Sequence, residues 1–244
     1  MSPTAGGPSS DAQFATTRWT LILSAAREAP TPRATAALAE LCGLYWYPLY
    51  AFIRRRGHTA HEAEDLTQEF FLQLLATHSL AQVSPDKGRF RSFLLASVQH
   101  FLANAFDRAR AQKRGGGQRP IALDAAQADR RYDLEPADEL TPERLFERRW
   151  ALTVLEQVLA RLEREMGAEG KAEWFAALKV FLTGDGGGTY AEVGVRLGQS
   201  AGAVKVAVHR LRRRYRQLLR DQIAHTVDDP SLIDEEIRYL LGCL

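Results

Sequence analysis

Cysteine is almost missing from this chain: its 244 residues include two, Cys42 and Cys243. They stand far apart in the sequence, one in an apolar stripe and one at the tail, so a disulfide framework or a cysteine metal site is not expected. Both read as reduced thiols. No stretch approaches the roughly 20 uninterrupted apolar residues a membrane helix needs. The opening MSPTAGGPSSDA has neither a basic start nor an apolar run. It is therefore read as neither a signal peptide nor an anchor, and the expected location is cytoplasmic. The alternating pattern of β-strands is scarce. Catalytic signatures are missing too: there is no HExxH and no GxSxG, and the GDGGG run at 184–188 lacks the Lys-Ser/Thr end of a phosphate loop. The expectation is a protein that is not an enzyme and needs no metal or cofactor.

What the chain does have is apolar material at helical spacing, with 45% hydrophobic and 25% charged residues, the balance of a globular protein. Its length suits two domains better than one. The formal net charge of +2 conceals a segregation. Residues 85–119 carry eight Lys and Arg against two Asp, and residues 189–225 carry eight Lys and Arg against one Glu and one Asp. The rest of the chain is acidic. One basic run is usually a solvated helix face, but two on an acidic body suggest two contacts with a polyanion.

The apolar periodicity predicts an all-α fold. A stripe of Leu38, Leu41, Cys42, Tyr45, Trp46, Leu49, Phe52 and Ile53 makes a first helix, with a kink expected at Pro48 and a stop at Gly57. A second runs from about Ala60 to Thr77 with Leu66, Phe70 and Leu74 inward, and acids in its early turns where the helix dipole favours them. A third, from about Phe90 to Lys113, buries Leu94, Val98, Phe101, Leu102 and Ala105. Gly115–Gly117 ends it, and the aperiodic stretch that follows reads as a linker. Thr141-Pro142-Glu143 is a start signal, with Thr as N-cap and Pro at the first helical position. Helices are then expected over Pro142–Met166, Ala172–Leu182, Tyr190–Leu197 and Ala201 to about Ile223. An amphipathic piece, Ser231–Leu241, follows, and the sequence leaves open whether it packs back or meets a partner.

Three constellations carry chemistry. Thr189–Arg220 has helix-turn-helix spacing: Gly194 is small where the helices approach, Gly198 permits the turn, Ser200 caps the longer helix, and Val204, Ala207, Val208 and Leu211 face the shorter one. The opposite face presents Gly202, Lys205, Val206, His209, Arg212 and Arg213, suited to guanine edges and phosphates. The bland alternative is a helical hairpin with a basic outer face. In the second patch aromatics interleave with charge, Arg89, Phe90, Arg91 and Phe93, then His100, Phe101, Asn104 and Phe106. Such a surface suits single-stranded or melting DNA, although the phenylalanines are better placed as core. Third, Glu62, Glu64, Asp65, Gln68 and Glu69 surround Leu66 and Phe70. That face either docks a basic protein groove or is simply solvated.

DLTQEFF at 65–71, GRFRSFLL at 88–95, NAFDRARAQKR at 104–114 and TYAEVGVRLGQSAGAVKVAVHRLRRRYRQLL at 189–219 together resemble the extracytoplasmic-function (ECF) group of bacterial sigma factors of the sigma-70 family. The resemblance spans most of the chain in the family's order. TTRW at 16–19 and YWYPLY at 45–50 resemble one subgroup of it. It implies an alternative sigma factor that binds core RNA polymerase, through its β′ and β subunits, and directs it to promoter DNA. Asp65, Leu66, Gln68, Glu69 and Phe70 match the family's contact with the β′ coiled coil. Arg89, Arg91, His100, Asn104, Arg108, Arg110, Lys113 and Arg114 match the segment that recognises and opens the minus-ten element. Ser200, Lys205, His209, Arg212 and Arg213 match the readers of the minus-thirty-five element.

On this reading residues 1–14 are a disordered N-terminus, 15–114 a region 2-like domain, 115–140 a flexible linker, 141–226 a region 4-like helix-turn-helix domain and 227–244 an amphipathic extension. The linker is longer and more charged than a minimal one, and TTRW and the tail lie outside the family's common core. An anti-sigma factor or a regulatory kinase is a further partner the resemblance allows. Glu62, Glu64 and Asp65 favour polymerase binding without a kinase. The competing readings are a helix-turn-helix regulator that acts alone as a dimer, and an adaptor that does not bind DNA.

Overall fold

The computed structural model describes residues 32–76, 89–111, 132, 140–184, 188–227 and 229–244; at 32–39, 41, 75–76 and 107–111 it describes the backbone only. The TTRW segment, Lys113, Arg114 and most of the 115–140 linker lie outside these residues. The fold is all-α. Among the described residues there is no strand, and no helix is long and apolar enough to cross a membrane. The helices are α1 (Pro32–Arg55), α2 (Ala60–Ala76), α3 (Phe90–Ala111), α4 (Pro142–Ala168), α5 (Ala172–Leu178), α6 (Val180–Thr183), α7 (Tyr190–Leu197), α8 (Ala201–Ala224) and α9 (Ile233–Gly242), the last preceded by a 3-10 turn at Pro230–Leu232.

Local chemistry accounts for the ends of these elements. Gly57 takes φ 95° just after α1, a conformation other residues adopt at a cost. Thr141 Oγ1 accepts from Arg144 N at 3.3 Å, and Pro142 opens α4 without wasting a backbone donor. Thr59 and Glu62 exchange hydrogen bonds at the start of α2, Glu62 Oε2 accepting from Thr59 N at 2.9 Å. Thr189 and Glu192 repeat this capping box at the start of α7. Pro48 lies within α1, buried among its aromatics, and the helix runs on to Arg55.

α4 is the spine. Its first turns lie along α1, where the Tyr45 ring stacks on Phe146 at 6.3 Å and on Trp150 at 6.5 Å, and meets Phe90 of α3 edge-on at 5.1 Å. All four rings are buried, and truncating any one of them to Ala removes about 3–5 kcal/mol. The last turns of α4 belong with α5 and α8: Glu165 accepts from Arg214 through both oxygens, at 2.8 and 2.9 Å. One apolar cluster therefore continues from Leu44 to Leu240. α9 packs against α4 and α8. The chain reaches it through an isolated antiparallel bridge between Arg89 and Val227, with Phe90 N donating to Thr226 O at 3.1 Å. Cys42 and Cys243 are free thiols, and burial pushes Cys42 up to about 12.

Candidate nucleic-acid interface

The pairing of α7 with α8 depends on one close approach. A Cβ on Gly194 would lie 2.6 Å from Gln199 O, so only glycine lets the turn fold against the short helix. Gly198 then turns the chain at φ 63°, and Ser200 Oγ accepts from Ala203 N at 3.2 Å to start α8. Val193, Val204, Val208 and Leu211 are buried behind this turn. Lys205, His209, Arg212 and Arg213 are exposed on the outer face, as the spacing predicts, and Arg212 donates to Phe181 O at 2.9 Å. Ser200, placed by the sequence among the DNA contacts, serves as the helix cap. Val206 is half exposed between Lys205 and His209, an apolar position such as a thymine methyl can meet.

The candidates on α3 fall into two groups. His100 and Asn104 are exposed along its second half, followed by Phe106, which is 64% exposed although its spacing suggested core. The backbone of Arg108 and Arg110 continues that end of the helix. Arg91 is elsewhere, about 14 Å back along the helix from His100, since each residue rises about 1.5 Å, and Arg89 lies just before the helix starts. Arg91 is buried. Its Nε donates to Glu236 Oε1 at 2.6 Å and its Nη2 to Oε2 at 3.3 Å, while Nη1 lies 3.4 Å from Glu147 Oε1. The Tyr239 ring covers the guanidinium at 3.8 Å, and the Tyr239 hydroxyl donates to Glu147. Burial opposes the charge on Arg91, and Glu236 together with Tyr239 and Glu147 more than offsets it, so the guanidinium is held above its ordinary range. Arg89 pairs with Glu235 and lies 3.0 Å from Glu236 Oε2.

On α2 the acidic face is open, but the ridge beside it differs from the one the sequence suggested. Asp65 is exposed and takes His61 Nδ1 at 3.0 Å. Hydrogen bonding to its own backbone and the Asp65 carboxylate hold His61 above the usual imidazole range. Glu69 accepts from Gln73. Phe70 and Gln68 are buried, Gln68 donating to Glu64 at 3.1 Å, and Leu66 is half-buried. The exposed apolar member is Leu72, 53% accessible and in line with Asp65 and Glu69 at helical spacing. Its position was readable from the spacing, but it was hidden among four other apolar residues between Phe70 and Leu75. A groove of about 750 Å³ also opens where α4, α5 and α8 meet, floored by Leu162, Met166, Trp174 and Leu211, with Lys171 and Arg210 at its rim.

Residues 47–114 match the sigma-70 region 2 family, which takes in the last nine residues of α1, and α2 and α3. The chain belongs to the sigma-70 family. The ECF RNA polymerase sigma factor SigE of Mycolicibacterium smegmatis (strain ATCC 700084 / mc(2)155) is 30% identical over 177 residues, which are 72% of this chain. The chain spans 57% of the length of that relative. No solved structure matches. The helix-turn-helix and α9 of this sigma-70 family member lie beyond the region 2 match.

Proposed function

We propose that the chain is an alternative sigma factor of the ECF type, which binds core RNA polymerase and directs it to particular promoters in the cytoplasm without catalysing a step of its own. The observation that carries this reading is the match to sigma-70 region 2 over 47–114 in a chain whose second basic segment folds as a helix-turn-helix with Lys205, His209, Arg212 and Arg213 outward. Residues 15–114 serve as the region 2-like domain and 141–226 as the region 4-like domain. Asp65, Glu69 and the exposed Leu72 form the contact with the β′ subunit, Leu66, Gln68 and Phe70 supporting them from within. His100, Asn104, Arg108, Arg110, Lys113 and Arg114 meet the minus-ten element, with Arg89 and Arg91 joining them once released from their carboxylates. Lys205, His209, Arg212 and Arg213 read the minus-thirty-five element, where lysine and arginine donors fit guanine edges and phosphates, and Ser200 orients that helix.

Size-exclusion chromatography with core polymerase, followed by transcription in vitro from a promoter library, tests the proposal. Co-elution and initiation support it. Tight duplex binding without polymerase would replace it with a regulator acting alone, and neither activity would favour an adaptor.

A further inference from the structure

The proposed function makes no use of α9, yet α9 engages residues of both basic segments. Its first turn carries three consecutive acids, Asp234, Glu235 and Glu236. Asp234 pairs with Arg220, from the second segment; Glu235 pairs with Arg89, and Glu236 with Arg89 and Arg91, from the first. Carboxylates thus stand where the phosphates of a nucleic acid would meet the same guanidiniums. We infer that α9 is a removable clasp, an internal stand-in for a phosphate backbone that withholds Arg89, Arg91 and Arg220 until nucleic acid displaces it.

The way α9 is held fits a clasp better than a strut. Only Glu236 and Leu240 of its ten residues are buried, and one of those two is a charge. Leu241 stays 55% exposed. The Arg220–Asp234 and Arg89–Glu235 pairs are at the surface, where ion pairs contribute little and exchange readily for other anions. The buried Arg91–Glu236 pair has lost its hydration, and that cost is recovered when Glu236 returns to water and Arg91 to water or to a phosphate. The backbone bridge between Arg89 and Val227 stays behind as a hinge, because it precedes α9. When the clasp is closed, only a fraction of the chain is competent to bind, and the apparent affinity falls by that fraction.

The inference rests on the reading of Arg89 and Arg91 as nucleic-acid contacts. Its test compares the full chain, Glu236→Gln, a chain ending at Val227, and Glu163→Gln, an exposed acid on α4 that controls for the change in net charge. Each is titrated with fluorescein-labelled oligothymidylate over a range of salt, and hydrogen exchange of α9 is followed in the full chain with and without the oligonucleotide. The clasp predicts binding at least about tenfold tighter for Glu236→Gln and for the shortened chain. The two arginines that face Glu236 also steepen the log–log salt slope by about 1.4 for a single strand in Glu236→Gln, and release of Arg220 as well raises this to about 2.1 in the shortened chain. Glu163→Gln behaves as the parent, and α9 amides exchange faster when the oligonucleotide is bound. Unchanged or weaker affinity in both altered chains overturns the clasp. So does loss of cooperative unfolding in both, because a clasp must leave a folded chain behind. Initiation with core polymerase is scored in parallel: a parent chain that initiates but gains nothing on losing α9 refutes the clasp alone, whereas one that never binds polymerase refutes the sigma reading while the oligonucleotide data still judge the clasp.

Discussion

Glu236 and Arg91 meet at 2.6 Å although 145 residues separate them in the chain. Both are buried, with the Tyr239 ring and the Glu147 carboxylate completing the shell around the guanidinium. Removing one partner of such a pair strands the other without water, which generally costs about 3–5 kcal/mol. Replacing both by apolar groups of similar size often costs little.

Arg91→Met therefore loosens α9 up to the free energy that docks it, because the helix can leave rather than keep an unpaired carboxylate inside. Hydrogen exchange of α9 amides accelerates in Arg91→Met, and adding Glu236→Leu restores much of the protection. Unaltered exchange in the single variant would show that the pair does not hold the helix.

Tyr239 gives this contact a pH limit. Burial first, and then its hydrogen bond to Glu147, push the phenol from its ordinary 10 up to about 12. A raised pKa means a contribution that is complete below about pH 10 and lost as pH climbs through about 12. Tyr239→Phe keeps the ring over Arg91 and loses about 1 kcal/mol at neutral pH. Thermal melts of parent and variant should differ at pH 7 and converge across that alkaline window.

On α8, Lys205→Ala and Arg213→Ala weaken promoter binding by the polymerase complex. A bidentate base contact accounts for about 1–3 kcal/mol and relaxes preference at one base pair. A phosphate contact instead lowers the salt slope by about 0.9 with no change in preference. Footprinting across a salt series separates the two, and indifference to both substitutions rejects this face.

Asp65→Lys and Leu72→Asp should each abolish co-elution with core polymerase while the helical circular dichroism is retained. The two side chains are exposed, so neither change disturbs the core. Full binding by Leu72→Asp would move the docking surface off this face of α2.

Gly194→Ala places a methyl group 2.6 Å from a backbone carbonyl that cannot rotate away. Overpacking of this kind costs about 1–3 kcal/mol, of which alanine's better helix propensity returns up to about 1 kcal/mol. Urea unfolding should show net destabilisation, with weaker minus-thirty-five recognition as α8 tilts from α7.

Much of this architecture was legible because the deciding chemistry is local. Apolar spacing outlined the helices to within a few residues; Thr141-Pro142, Ser200 and Gly198 marked caps and a turn that depend on neighbours in sequence; and the buried face of α8 followed from a 3.6-residue period. Phe70, Leu94, Val98 and Phe101 face inward as their periodicity implied. The region 2 match and the outward Lys205, His209, Arg212 and Arg213 rest on that same local information.

What tertiary structure alone decided is where the long-range surfaces meet. Periodicity selects a buried stripe without saying which helix covers it, so the sequence did not show that α4 packs its first turns on α1 and its last on α5 and α8. It could not rank Leu72 above Leu66 as the exposed apolar residue of α2, since both are leucines on a helix whose neighbours are chosen by the whole chain. A run of arginines announces an appetite for negative charge, but Coulomb attraction does not distinguish a phosphate from a carboxylate. Only the folding of α9 back onto the start of α3 determined that, in the free chain, Glu235 and Glu236 take Arg89 and Arg91.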